Sequence, residues 1–478
     1  MNTYSKVISI AIVTSLLFSC TSNINKHQEN ANQTKDTVVS TPKENFPKGQ
    51  VIDKIVCKNN TSQSYALYLP STYSNDKLYP VVYAFDAHGT GKLPVANYKD
   101  LAEKYGYIIA GSNNSKNGNA WEESEHIAAE LFMDVQNRLS INTARVYLLG
   151  FSGGARVVNG IAIENGAIAG VICCGAAAPG TNSTHPRNNY TWLGIAGLED
   201  FNYTEMRKYD MVDLAGHNVK HGLITFDGKH EWCPKQVMDE AFWWLELCEM
   251  RNNKSSINDT MVKRRITLDI KQIEKYMQSK QFFNAYNLCK KTINFYDGLY
   301  DLSYCFKTFK TLQTNDDVDK GLKDEDTLWA KEDKLKNYYV TGFQSNDFER
   351  WKKEIGSLNQ KIKTEKNKND VQSYKRVLGY LSLAAYMQCS GALKQNAIPA
   401  AEYFCKVYVL IDPTNSEAYY FTAIVNAKEG KANEAINALN GAVKNGFKDL
   451  PRLQNEIAFD AIRNSDDYRN VLKQINEQ

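Results

Sequence analysis

The chain has 478 residues, room for two or three domains at about 150 residues each, which excludes one small module. Apolar residues make up 43% and charged residues 23%, with a mean hydropathy of −0.48, a composition that buries a core and excludes both global disorder and a polytopic membrane protein. With 57 basic and 54 acidic residues the net charge is only +3, too little to steer nucleic acid, so no nucleic-acid partner is expected.

Residues 1–19 read as a secretion signal: Lys6 gives the positive start, and Val7 to Phe18 is an apolar run too short to span a bilayer comfortably. The run ends in Leu17, Phe18, Ser19 and Cys20, which resembles a bacterial lipobox, although Phe18 is bulkier than that pattern favours. The resemblance implies a diacylglycerol thioether on Cys20 and a chain anchored to a membrane of the bacterial cell envelope rather than spanning it; a plain signal peptide is the alternative. Residues 20–49, rich in Asn, Lys, Thr, Ser and Gln with no apolar period, read as a flexible tether. Of ten cysteines, nine remain once Cys20 is set aside, so at least one lacks an intrachain mate. No metal-type spacing occurs among them; Cys173 and Cys174 read as small buried hydrophobes, and a Cys233–Cys248 disulfide is left open.

From 50 to 252 short β-rich runs alternate with helical stretches, the α/β signature. Strands are expected at Ser64 to Leu69, Pro80 to Phe85, Tyr107 to Gly111, Arg145 to Leu149, Ala169 to Cys174, Tyr190 to Ala196 and Gly222 to Phe226. Between them, Ile127, Leu131, Val135 and Leu139 at fourfold spacing predict a helix from about Glu123. Beyond a polar linker at Lys254 to Asp259, strand signals give way to amphipathic helical patterns, and an all-α domain is expected over 260–478. A repeat of about 34 residues aligns Ala401, Cys405, Tyr408 and Pro413 with Ala435, Leu439, Ala442 and Phe447; the pattern is clearest over 382–449 and resembles tetratricopeptide repeats. Asn315 to Asp370 is highly charged, helical around Trp329 and Trp351, and without a repeat register; Lys361 to Lys368 reads as a solvated face or linker.

The chemistry starts where Arg145 to Leu149 runs into Gly150, Phe151, Ser152, Gly153 and Gly154, followed by a helix-compatible segment. This strand–turn–helix around G-x-S-x-G lifts Ser152 to the edge of a sheet, and its glycines leave room across a strained turn. A second strand leads to Gly197, Leu198, Glu199 and Asp200, where Asp200 is the expected acid and Glu199 the alternative. A third leads to Asp227, Gly228, Lys229 and His230, the expected general base. The order Ser, Asp, His differs from the chymotrypsin and subtilisin orders. Pro80 to Phe85 leads to an HG loop, Asp86 to Gly91; backbone N–H groups of Thr90 and Gly153, with Gly89 beside them, are the candidate oxyanion donors. Trp232, Tyr203, Asn113, Asn114 and Trp121 fall on loops beyond strand ends, where they either line a pocket or close the core. Arg156, just inside the helix after Ser152, is expected to pair with a surface acid rather than a substrate carboxylate.

Through His88–Gly89, Gly150–Gly154, Gly197–Asp200 and Gly228–Trp232, residues 50–252 resemble compact secreted α/β-hydrolase esterases of the feruloyl esterase, polyhydroxybutyrate depolymerase and esterase D type. The resemblance implies an α/β-hydrolase fold without a large lid domain and a serine carboxylesterase acting on acyl esters, such as acetyl or feruloyl groups on polysaccharide, with neither a metal nor an organic cofactor. It departs at the residues after His88–Gly89, which lack the cysteine common in depolymerases, and in the helical domain that stands where a carbohydrate-binding module would be expected. Two alternatives stay open: a serine peptidase resembling the prolyl oligopeptidase catalytic domain, and an inactive hydrolase scaffold whose helical repeats bind a protein partner.

Overall fold

The computed structural model describes residues 43–179, 190–254, 258–345 and 347–477. The signal at 1–19, Cys20 and most of the expected tether lie outside the described residues. The last residues of that tether are packed, in contrast to expectation: Arg138 donates to Glu44 Oε2 at 2.8 Å, its guanidinium lies over Phe46, and Gly49 N–H donates to Leu69 O at 2.8 Å. A polar composition did not foretell this, because a single buried arginine supplies the partner.

Among the described residues eight strands form one sheet: β1 (Val51–Val56), β2 (Ser64–Tyr68), β3 (Tyr79–Phe85), β4 (Ile108–Ser112), β5 (Ile141–Phe151), β6 (Gly170–Cys174), β7 (Thr191–Gly197) and β8 (Lys220–Phe226). Their spatial order is β1-β2-β4-β3-β5-β6-β7-β8. The first two pairings, β1 with β2 and β2 with β4, are antiparallel, and all others are parallel. This is the α/β-hydrolase arrangement, and it carries G-x-S-x-G at the C-terminal end of the central β5. Every residue of β3 is buried, as a parallel strand covered on both faces requires. One face is covered by α2 (Trp121–Arg138) and α3 (Gly153–Glu164), the other by α1 (Lys92–Tyr105) and α5 (Lys235–Asn252). The fourfold pattern works as expected in α2, whose Ile127, Leu131 and Val135 are buried, the last two in the core with the sheet.

After β7 come a short helix α4 (Tyr203–Lys208) and, beyond α5, helices only: α6 (Asp259–Gln278), α7 (Phe282–Tyr296), α8 (Ser303–Leu312), α9 (Asp316–Gly342), α10 (Phe348–Thr364), α11 (Lys368–Lys394), α12 (Ile398–Ile411), α13 (Ser416–Lys428), α14 (Ala432–Lys444), α15 (Leu450–Asn455) and α16 (Asp466–Asn476). Packing does not break at the polar linker. Val262, Ile266 and Ile273 of α6 and Cys289, Phe295 and Tyr296 of α7 share a core with Phe242, Trp243 and Trp244 of α5. A separate core joins α9 to α16, and the small residues singled out by the repeat, Ala401, Ala435 and Ala442 among them, are buried in it. The nine cysteines within the described residues are buried and free, so Cys233 and Cys248 are not bridged.

Candidate active site

Chain direction reverses sharply at Ser152, where φ is 53° and ψ −118°, a conformation that side chains rarely adopt. The turn persists because its surroundings fix it. Ser152 N–H donates to Cys174 O on β6 at 2.8 Å, while Ala155 and Arg156 N–H donate back to Ser152 O at 3.0 and 3.2 Å. A Cβ at Gly150 would strike the Gly154 carbonyl, and one at Gly154 the Phe85 carbonyl, so both outer glycines of the motif are sterically required. Gly153, the first residue of α3, carries one of the N–H groups that helix geometry leaves without an intrahelical acceptor.

Three loops from three strand ends bring the polar side chains together. His230 Nε2 lies 2.9 Å from Ser152 Oγ, and His230 Nδ1 lies 2.9 Å from Asp200 Oδ1. Asp200 is 1% exposed, and its Oδ1 also accepts the Asn202 N–H at 2.8 Å, which fixes the carboxylate plane. Two aromatic rings pack against the imidazole, Phe201 with centroids 4.1 Å apart and Phe151 at 4.8 Å. Gly175, at φ 67°, leaves the floor open: a Cβ there would lie 3.1 Å from Asp200 Oδ2 and from His230 Cε1 and Nδ1. Glu199, the alternative acid, points away and pairs with Lys375 of α11 at 2.6 Å.

The other expected site residues are placed less uniformly. Thr90 is exposed on the HG loop, and its carbonyl accepts Leu93 N–H at the start of α1. Gly89 does not fit an oxyanion role, because its N–H closes the turn onto Asp86 O at 3.3 Å. Trp232 is half-buried: its indole N–H donates to Asp86 Oδ2 at 2.9 Å and its ring packs on Phe151 and Tyr98. Asp86 is 2% exposed; burial would raise its pKa, but hydrogen bonds from His88 and Trp232 hold it below the ordinary carboxylate value. The HG loop is thereby anchored to the loop that carries His230. Tyr203 is buried with its ring under the Arg376 guanidinium. Asn113 turns its amide to Asp53 O and Ser64 Oγ, Asn114 bonds Ser64 N–H, and Trp121 starts α2 packed on the core. Arg156 is taken up by Glu205, with both nitrogens 2.8 Å from its oxygens, and Glu205 Oε1 also accepts the Ala177 and Ala178 N–H groups.

One neighbour of Ser152 had no sequence signal. The Asn117 amide lies so close to Gly153 that a Cβ at 153 would strike its Oδ1, and Asn117 N–H donates to Ala87 O at 2.8 Å, tying this loop to the HG loop. In sequence it is one of several asparagines after β4, and nothing in its spacing separates it from Asn113 and Asn114.

No family model and no curated protein matches the chain. Among solved structures, it is similar to an S-formylglutathione hydrolase from Agrobacterium tumefaciens at 14% identity, over 41% of this chain and 93% of that one, with a TM-score of 0.34. A feruloyl esterase module from Clostridium thermocellum, an S954A mutant complexed with sinapinate, matches at 15% identity over 41% of this chain and 86% of that one, with a TM-score of 0.33. An esterase B from Lactobacillus rhamnosis matches at 13% identity over 44% of this chain and 91% of that one, with a TM-score of 0.37. The fold follows independently from the strand order and from the turn at Ser152.

Proposed function

We propose that the chain is a serine carboxylic ester hydrolase, lipid-anchored at Cys20 in a bacterial cell envelope, that cleaves acyl esters through an acyl-enzyme. The hydrogen-bonded series from Ser152 Oγ through His230 to Asp200, with both steps at 2.9 Å, is the observation that supports this reading. His230 Nε2 takes the Ser152 proton as Oγ attacks the ester carbonyl carbon; the carbonyl π bond opens onto oxygen and leaves an oxyanion. Backbone N–H groups of Gly153 and Thr90 receive that charge. Collapse of the tetrahedral species expels the alcohol, which takes the proton from His230, and water then repeats the sequence on the acyl-enzyme to release the acid. Asp200 holds the imidazole in one tautomer and stabilises its cationic form without taking the proton. Acetyl, feruloyl and longer acyl esters are the substrate classes to compare, with peptides as the competing class.

The test is fluorophosphonate labelling of the full chain with peptide mapping. An adduct on Ser152 that is lost in Ser152→Ala and in His230→Ala is the expected result. A folded chain that takes up no label overturns the reading.

A further inference from the structure

The acid loop between β7 and α4 is held from outside the sheet. Arg376 of α11 donates Nη1 to Leu198 O at 2.7 Å, and Lys336 of α9 donates Nζ to Phe201 O and Thr204 Oγ1, each at 3.1 Å. These carbonyls flank Asp200 on either side in the chain. Arg376 and Lys336 are 2% and 7% exposed, and their charges converge on Glu332, which is 0% exposed: Arg376 Nε lies 2.9 Å from Oε2 and Lys336 Nζ 2.9 Å from Oε1. Further contacts follow the loop outward. Glu199 pairs with Lys375, Tyr203 lies under Arg376, and Arg207 sits 3.6 Å over the Trp329 ring. Phe201, whose other neighbour is the His230 ring, packs against Gly379 of α11, where a Cβ would lie 3.4 Å from its Cδ1.

We infer that α9 and α11 are part of the catalytic apparatus: Arg376 and Lys336, with Glu332 balancing their charge, are positioning residues that hold Asp200 and, through Phe201, His230. The inference rests on the Ser152–His230–Asp200 reading. The geometry gives it a mechanism. On the hydrolase side the loop is fixed before Asp200 by Leu198 N–H on Phe226 O and Glu199 N–H on Gly228 O, and after it by Asn202 Nδ2 on Gly175 O at 2.8 Å, none of which holds the Leu198 and Phe201 carbonyls or the Phe201 ring. The Phe201 carbonyl, Thr204 hydroxyl and Tyr203 ring have their contacts on α9 and α11. Release of those contacts lets Phe201 move, and the imidazole it packs against loses that wall. Small displacements at such a centre are costly, about 100-fold in rate for 1 Å.

The experiment uses the full chain with three variants. Arg376→Met removes the Leu198 contact, and Arg376→Lys keeps a donor there. Gly379→Leu leaves the charges intact and suits a helix but drives a side chain into Phe201, so it reports even where Arg376→Met does not fold. Leu439→Ala, in α14 away from the loop, is the control for plain loss of stability. Readouts are the labelling rate at Ser152, kcat and KM on p-nitrophenyl acetate, and the unfolding midpoint. The expected result is a kcat and labelling rate lowered about 10- to 100-fold in Gly379→Leu and in folded Arg376→Met, with KM little changed, partial recovery in Arg376→Lys, and wild-type kcat in Leu439→Ala. Wild-type labelling rates in Gly379→Leu, or rates in all variants that track the unfolding midpoint as Leu439→Ala does, overturn the inference while Ser152 remains a labelled nucleophile. A wild-type chain that is not labelled removes the functional reading itself and the inference with it.

Discussion

Substitution of Gly175 by alanine separates a backbone requirement from a catalytic one. Gly175 has φ 67°, and an L side chain in the left-handed region costs about 1 to 2 kcal/mol. Gly106, at the end of α1, has φ 74° and nothing within 4 Å of an added Cβ, so Gly106→Ala incurs the same backbone cost alone. At Gly175 the added methyl also meets three atoms of the acid–base pair at 3.1 Å, closer than such contacts ordinarily come, and either Asp200 or His230 must give by a few tenths of an ångström. A shift of that size in a 2.9 Å hydrogen bond is expected to lower kcat about tenfold, or ~1.4 kcal/mol in the barrier. Both variants are therefore expected to lose stability in guanidinium unfolding, Gly175→Ala at least as much as Gly106→Ala, and only Gly175→Ala to lose activity and labelling rate. Equal kcat in the two variants would refute the reasoning, since the glycine would then be required by φ and not by its neighbours.

Trp232→Phe removes the indole donor from Asp86, a carboxylate 2% exposed, and is expected to cost about 1 to 3 kcal/mol in chemical denaturation; a loss under a few tenths would show that the bond is replaced by water. Acid stability is the other check. Burial would raise the Glu332 pKa, but Arg376 and Lys336 hold it below the ordinary 4.5, so the unfolded chain binds the proton more readily than the folded one. The stabilisation from this carboxylate is then fully present above pH 4.5 and is lost as pH falls through the folded value. Glu332→Gln leaves Arg376 buried without its counter-charge, at about 3 kcal/mol, and its deficit against wild type should narrow below pH 4.5; a deficit independent of pH down to 3.5 would count against an ionised Glu332.

The sheet was legible because buried parallel strands are largely apolar, and β2 to β8 begin and end within four residues of where their runs predict. The strand that sequence reading missed, β1, explains itself: Asp53, Lys54 and Val56 are exposed at the sheet edge, so its apolar signal is half gone. The order of the three site residues was legible for a related reason. Each follows a strand, and strands of a parallel sheet deliver their C-terminal ends to one edge. What could not be read were contacts set by pairs far apart in the chain. Trp232 and Tyr203 carry the same loop signature as pocket residues, yet one is claimed by Asp86 and the other by Arg376, and only the fold brings these partners near.

The charged stretch from Asn315 to Asp370 shows why composition misleads in this part of the chain. Most of its charges face water, but Glu332 and Lys336 are buried. A buried ion pair is weak ground for stability, because apolar side chains of equal volume often serve as well. Apolar side chains could not, however, satisfy the Leu198 and Phe201 carbonyls, which point at α9 and α11 and would be left without donors on burial. The two donors that reach those oxygens here are the cationic side chains of Arg376 and Lys336, and Glu332 between them balances their charge. The triad of charges inside the helical region thus satisfies the backbone of the acid loop, and a segment that looks solvated in sequence ends up against the loop whose Asp200 bonds His230.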